Sequence, residues 1–160
     1  MHTVLHSRRA LVLLAAGGSA ALLLGAFAFQ YLGGVMPCKL CLWQRWVHAG
    51  AVALGALALA WPVAMVTLAG MATALTTAGL GVYHTGVERG WWPGPDSCTG
   101  DGGGLAGLSG ADLLSTANAE PVVMCDQVAW AMWGLSLPGW NALASLALAG
   151  LWLMAVRARR

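Results

Sequence analysis

The chain is poor in charge. Eight lysines and arginines and six aspartates and glutamates among 160 residues make up 9% of the sequence, against about 25% in soluble domains. Apolar residues reach 59%, so a water-soluble globule could not cover its surface, and the bilayer is the solvent this composition fits. The length allows a single domain. A net charge of +2 with no basic stripe sets nucleic-acid binding aside. Disorder, collagen-like repeats and coiled coils are excluded by composition, and no internal repeat and no Walker, Rossmann or zinc-protease signature occurs. The four cysteines are few, so their placement carries the information.

The uncharged runs define spans. Ala10 to Leu32 holds no charge and at about 1.5 Å per residue exceeds the ~30 Å of hydrocarbon. Its basic start, Arg8 and Arg9, resembles a secretory signal, but the run is longer than the usual core of about 7–15 residues. From Trp46 to Tyr83 there is again no Asp, Glu, Lys or Arg, a length that must fold back, and Trp61-Pro62 is the strong break near its middle. The last run, 127–156, enters the bilayer at Pro138-Gly139-Trp140. The expected architecture is an all-α membrane protein, one domain over residues 1–160, a bundle of four transmembrane helices at about 10–32, 43–61, 63–83 and 139–156. Two extracytoplasmic loops, about 33–42 and 84–138, connect them.

Arg8, Arg9, Arg157, Arg159 and Arg160 flank the two ends, so the positive-inside rule places both termini in the cytoplasm. All six acidic residues fall in the long outer loop. Its Thr99 to Gly104 stretch argues against regular structure, while Ser109 and Asp112 with Leu105, Leu108, Leu113 and Leu114 suit a short interfacial helix. Among the tryptophans, Trp43, Trp46, Trp130, Trp133 and Trp140 read as an outer aromatic belt and Trp61 and Trp152 as an inner one.

Cys38, Cys41, Cys98 and Cys125 all lie in the outer loops. In an oxidising compartment an even number of exposed cysteines reads as disulfides. Stapling a loop is the plain use of such bonds, yet Cys38-Lys39-Leu40-Cys41 closes a ring too small to restrict the unfolded chain much. A CxxC pair at a helix start suits exchange instead, because backbone N–H groups and the macrodipole favour a thiolate there, and Pro37 suits such a start. On a helix, Cys38, Cys41, Arg45 and His48 share one stripe. Arg45, near the outer end of an apolar span, either snorkels to the headgroups or lends its charge to the Cys41 thiolate and an electron-rich acceptor beside it. His84 ends the third span and is able to face the same zone.

Pro37-Cys38-Lys39-Leu40-Cys41-Leu42-Trp43-Gln44-Arg45 resembles the PCxLCxxQR signature of the bacterial disulfide bond formation protein B family. Tyr83 to Glu88, Trp92 to Cys98, Cys125-Asp126 and Gly134 to Asn141 resemble the same family's third span, second outer loop and fourth span. The resemblance implies an inner-membrane thiol:quinone oxidoreductase with its cysteine loops in the periplasm. Such an enzyme reoxidises a soluble thioredoxin-fold dithiol oxidase of the DsbA type and passes the electrons to membrane quinone, ubiquinone or menaquinone. It further implies that Cys98 forms the mixed disulfide with that partner and pairs with Cys125. Cys38 then exchanges with Cys125, Cys41 is the thiolate beside the quinone, and Arg45 and His84 assist quinone binding; His48 receives no family role. The Gly-rich Thr99 to Gly104 run departs from better-known members.

Three other readings stand beside this one. A vitamin K epoxide reductase-like quinone reductase would carry its CxxC near the last helix. A membrane subunit with disulfide-stapled loops would need no electron acceptor. A zinc site built from all four cysteines with His84 is disfavoured by their long separation and the lack of a second CxxC, so no metal is expected.

Overall fold

The computed structural model describes residues 7–95 and 123–158. Within them lie four helices, α1 (Arg8–Tyr31), α2 (Lys39–Ala60), α3 (Ala64–Glu88) and α4 (Leu137–Arg157), and a hairpin of β1 (Ala131–Met132) and β2 (Leu135–Ser136). The helices pack as a ring in which α1 touches α2 and α4, and α3 touches α2 and α4, with α3 against α4 the most extensive pairing. Helices α1, α3 and α4 are long and apolar enough to cross a membrane. Helix α2 is of similar length but carries Lys39, Gln44, Arg45 and His48 in its first three turns.

The polarity of the bundle is inverted relative to a soluble protein. Ser19, Gln44, His48, Thr67, Thr77, His84 and Ser145 are buried, whereas Leu13, Leu24, Trp46, Met65, Leu75, Leu143 and Leu146 are exposed. Helices in lipid associate through small residues and interhelical hydrogen bonds rather than through apolar burial. At the α3–α4 contact a Cβ on Gly70 would sit 2.6 Å from the Trp152 ring, and one on Gly81 would sit 2.7 Å from the Pro138 carbonyl oxygen. Only glycine lets these backbones come so close.

That contact corrects the expected inner belt. Trp152 is fully buried among Leu11, Val12, Ala74 and Leu148, because the missing side chain at Gly70 opens a slot for its ring. Trp61, by contrast, is exposed at the α2–α3 break. Arg8 closes this end of the bundle, donating to Thr67 Oγ1 at 2.6 Å and to the Ala58 carbonyl at 3.4 Å.

Element ends follow local chemistry. Cys38 is the N-cap of α2, with extended backbone and its sulfur accepting from the Cys41 N–H at 3.3 Å. Pro138 sits in the first turn of α4, where its missing donor costs nothing. The hairpin was not anticipated from the sequence, which reads there as loop. It pairs Ala131 with Ser136 and Met132 with Leu135 around Trp133 (φ 51°) and Gly134 (φ 76°). Two successive left-handed residues are the signature of the tight hairpin turn, usually Asn-Gly; tryptophan in the first position hid it. The proposed interfacial helix, the Gly-rich run, Cys98, Arg159 and Arg160 lie outside the described residues.

Candidate functional site

The site lies at the end of the bundle where α2 begins and α3 stops. Capping α2 turns the Cys38 sulfur inward, 2.9 Å from Cys41 Sγ. Cys125 arrives on the segment leading to the hairpin and is fully buried beside Cys38, Leu40 and Val87. The sulfurs of Cys38 and Cys125 and a ring nitrogen of His84 all lie within 4.8 Å of one another. Residues 87 positions apart thus meet around one sulfur, that of Cys38.

The two CxxC thiols are electrostatically unequal. The Cys38 S–H bonding to Cys41 is the largest influence holding the Cys41 thiol down at about 7; burial opposes it, and the Cys38 backbone and then the Arg45 charge add to the lowering. Cys38 is pushed well above the usual thiol range, first by that same bond and then by burial. One proton shared between two sulfurs therefore resides on Cys38 and leaves Cys41 as the readier thiolate.

His84 is buried with Nε2 3.5 Å from Cys38 Sγ. Its Nδ1 meets Gln44 Nε2 at 3.1 Å. Gln44 also donates to the Leu40 carbonyl at 3.3 Å and accepts from Asn141 Nδ2 at 2.7 Å. Asn141 Oδ1 in turn lies 2.8 Å from His48 Nε2. The result is a polar ladder from Cys38 through His84, Gln44 and Asn141 to His48, crossing α2, α3 and α4. The expected single stripe on α2 is divided accordingly. Cys38 stands outside the helix as its cap, His48 turns toward Asn141 on α4, and Arg45 turns the other way. Arg45 donates to Gln30 Oε1 and, at 2.9 Å, to the Ala26 carbonyl of α1, and its guanidinium lies 5.1 Å from the Phe27 ring centre. A stripe of about 100° is wide enough to serve two neighbouring helices.

A cavity of about 390 Å³ opens beside the sulfurs, and its lining includes Cys41, Arg45, His84, Glu88, Trp140 and Asn141. Its size falls in the range of about 300–1,000 Å³ typical of small-molecule sites, and mostly apolar walls with a few polar groups suit a flat, greasy ring. Gln44, Asn141, Glu88 and Gln30 were not picked out as site residues from the sequence. The available signal was a glutamine and an asparagine within apolar helices, which in a bilayer mark function by default.

The sequence matches the family Disulfide bond formation protein DsbB over residues 8–155. It is also similar to Disulfide bond formation protein B of Verminephrobacter eiseniae (strain EF01-2), with 31% identity over 161 residues covering 95% of this chain and 86% of that protein. No solved structure matches the chain.

Proposed function

The chain belongs to the DsbB family of disulfide bond formation proteins, and from that premise we propose that it reoxidises a periplasmic thioredoxin-fold dithiol oxidase and delivers the electrons to a membrane quinone. The observation that carries this reading is the placement of Cys38 Sγ, 2.9 Å from Cys41 Sγ and within 4.8 Å of Cys125 Sγ. A sulfur so placed is able to pass from one disulfide to another without moving the bundle.

In the proposed sequence the partner's thiolate attacks Cys98, the Cys98–Cys125 bond breaks, and its electron pair leaves on Cys125 Sγ. That thiolate attacks Cys38 Sγ. A Cys38–Cys125 bond forms, the Cys38–Cys41 bond breaks, and its electron pair leaves on Cys41 Sγ. A lower-pKa thiol is the better leaving group, and Cys41, at about 7, is the better of the two in the CxxC. The partner's second thiolate then attacks its own sulfur in the mixed disulfide, releasing the oxidised partner with the electron pair on Cys98. The Cys98 thiolate attacks Cys125, re-forming the Cys98–Cys125 bond and leaving the electron pair on Cys38 Sγ; His84 Nε2, 3.5 Å from Cys38 Sγ, suits this return step.

A quinone, when bound, supplies a two-electron acceptor soluble in the bilayer. The residues lining the cavity fit it, with Cys41 and Arg45 on the α2 side, His84 and Glu88 on α3, and Trp140 and Asn141 on α4. Arg45 contributes a fixed positive charge near the Cys41 thiolate, and the apolar walls leave no room for water beside the sulfur once a ring fills the cavity. The proposal includes four spans with both termini cytoplasmic in the inner membrane. The grouping of Leu11, Ala58 and Ala155 in one core cluster, near the basic ends of α1 and α4, supports it.

Mixing detergent-purified protein with a reduced thioredoxin-fold dithiol protein and a soluble quinone tests the reading. Dithiol-dependent loss of quinone absorbance is expected, and its absence would reject the proposal.

A further inference from the structure

We propose that the fully reduced protein binds one zinc-like divalent cation between Cys38, Cys125 and His84, and that this ion blocks reoxidation of its cysteines. The sequence disfavours a zinc site because its cysteines are far apart along the chain. The fold removes that objection for two of them. Cys38, Cys125 and His84 are each at least 95% buried, their ligand atoms lie within 4.8 Å of one another, and the thiols of Cys38 and Cys125 are free.

The geometry fits the metal. With Zn–S near 2.3 Å and Zn–N near 2.0–2.1 Å, a tetrahedral ion holds a sulfur and a nitrogen about 3.6 Å apart; Cys38 Sγ and His84 Nε2 are 3.5 Å apart. Two sulfurs on such an ion stand about 3.8 Å apart. Cys41 Sγ is nearer than that to Cys38, at 2.9 Å, so Cys41 is not a ligand in this arrangement, and a water from the adjoining cavity takes the fourth position. A ligating histidine needs its other nitrogen held by an outer partner, and Gln44 does so at Nδ1, 3.1 Å away. When Nε2 takes the metal the ring proton sits on Nδ1, and the Gln44 amide turns over to accept from it, giving up its bond to the Leu40 carbonyl while Asn141 turns with it.

Binding moves no electrons. The ion replaces the protons of Cys38 S–H and Cys125 S–H, releasing two H⁺, and His84 Nε2 completes the protein ligands. With Cys38 held on the ion, its thiolate is not free to re-form the Cys38–Cys41 disulfide, and Cys125 is likewise not free to re-pair with Cys98, so the reduced protein is not reoxidised. The site exists only in the reduced protein, since a disulfide at either cysteine withdraws a ligand.

The test is a titration of the full-length protein in detergent, reduced with a phosphine and kept anaerobic, with Co²⁺ as the spectroscopic probe and Zn²⁺ as competitor. Neither quinone nor partner is present, so the outcome is independent of the exchange reading. One Co²⁺ per chain is expected, with thiolate-to-metal charge transfer and the visible bands of a tetrahedral site, displaced by Zn²⁺ with release of two protons. Oxidised protein is expected to bind at least tenfold more weakly, as are the Cys125→Ser and His84→Phe variants, while Cys41→Ser keeps the stoichiometry and spectrum. Because a substitution is able to disturb folding, a second measurement uses the unaltered chain: Zn²⁺ slows alkylation of Cys38 and Cys125 at least tenfold in the reduced protein. Equal binding by oxidised and reduced protein, a spectrum lost in Cys98→Ser but kept in Cys125→Ser, or alkylation indifferent to Zn²⁺ would each overturn the proposal.

Discussion

Asn141 on α4 donates to Gln44 on α2 at 2.7 Å, and this one bond sets the direction of the ladder behind the reactive sulfurs. With its Oε1 taken by Asn141, Gln44 offers N–H to His84 Nδ1, so the neutral ring carries its proton on Nε2, toward Cys38. In the metal-free protein, a residue one turn into α4 thereby sets the tautomer of a histidine on α3.

Asn141→Leu leaves Gln44 Oε1 without its buried partner and His48 Nε2 with only its longer contact to Thr77 Oγ1, 3.5 Å away. A buried group so abandoned costs about 1–3 kcal/mol. A lower melting temperature in detergent is expected, together with slower dithiol-dependent turnover. Normal turnover in a variant that melts early would assign the ladder to stability alone.

Cys41 is expected to alkylate with a midpoint at about pH 7 in the reduced protein. The thiolate is the reacting species, so the rate rises as pH rises through that midpoint. Because the Cys38 thiol is the largest cause of the lowering, Cys38→Ala moves the midpoint up, whereas loss of the Arg45 charge moves it less. Rate-against-pH curves for the single thiol check the order of the two effects.

Arg45→Ala removes a positive charge from the cavity wall and two donors to α1. Hydrogen bonds to charged groups are worth about 1.5–3 kcal/mol, and the expected outcome is a rise of roughly tenfold in the apparent KM for quinone with a smaller change in kcat. Arg45→Lys is not expected to restore it, since a lysine lacks the planar fork that reaches Gln30 and Ala26 together. An unchanged KM would leave Arg45 as a tie between α1 and α2.

Gly70→Ala places a methyl 2.6 Å from the Trp152 ring, and a rigid indole in a packed slot has nowhere to go. Overpacking of this kind costs about 1–3 kcal/mol. The melting temperature should fall, while Cys41 alkylation at the opposite end of the bundle stays as it was. A variant that melts like the parent would mean the α3–α4 contact relaxes freely.

Much of this was legible in the chain. Uncharged runs and Pro62 marked the helices, and the CxxC after Pro37 marked a helix start, because such signals are local. What escaped depends on pairs distant in sequence. Gln44 meets Asn141 across 97 positions, Cys38 meets Cys125 across the whole of α2 and α3, and Trp152 owes its burial to the absence of a side chain at Gly70. Helical spacing put Arg45 and His48 on one stripe correctly but could not say that the stripe faces two different helices. Trp133 concealed a hairpin turn by occupying a conformation that tryptophan seldom adopts.

Everything proposed for the electrons depends on Cys38 exchanging between Cys41 and Cys125. Non-reducing digestion and mass spectrometry of a Cys41→Ser variant, purified after expression in an oxidising periplasm, tests this most directly. With its near partner gone, Cys38 is expected in a disulfide with Cys125 as the major linked peptide. A Cys38 recovered chiefly as a free thiol, or joined to Cys98 instead, would contradict the account.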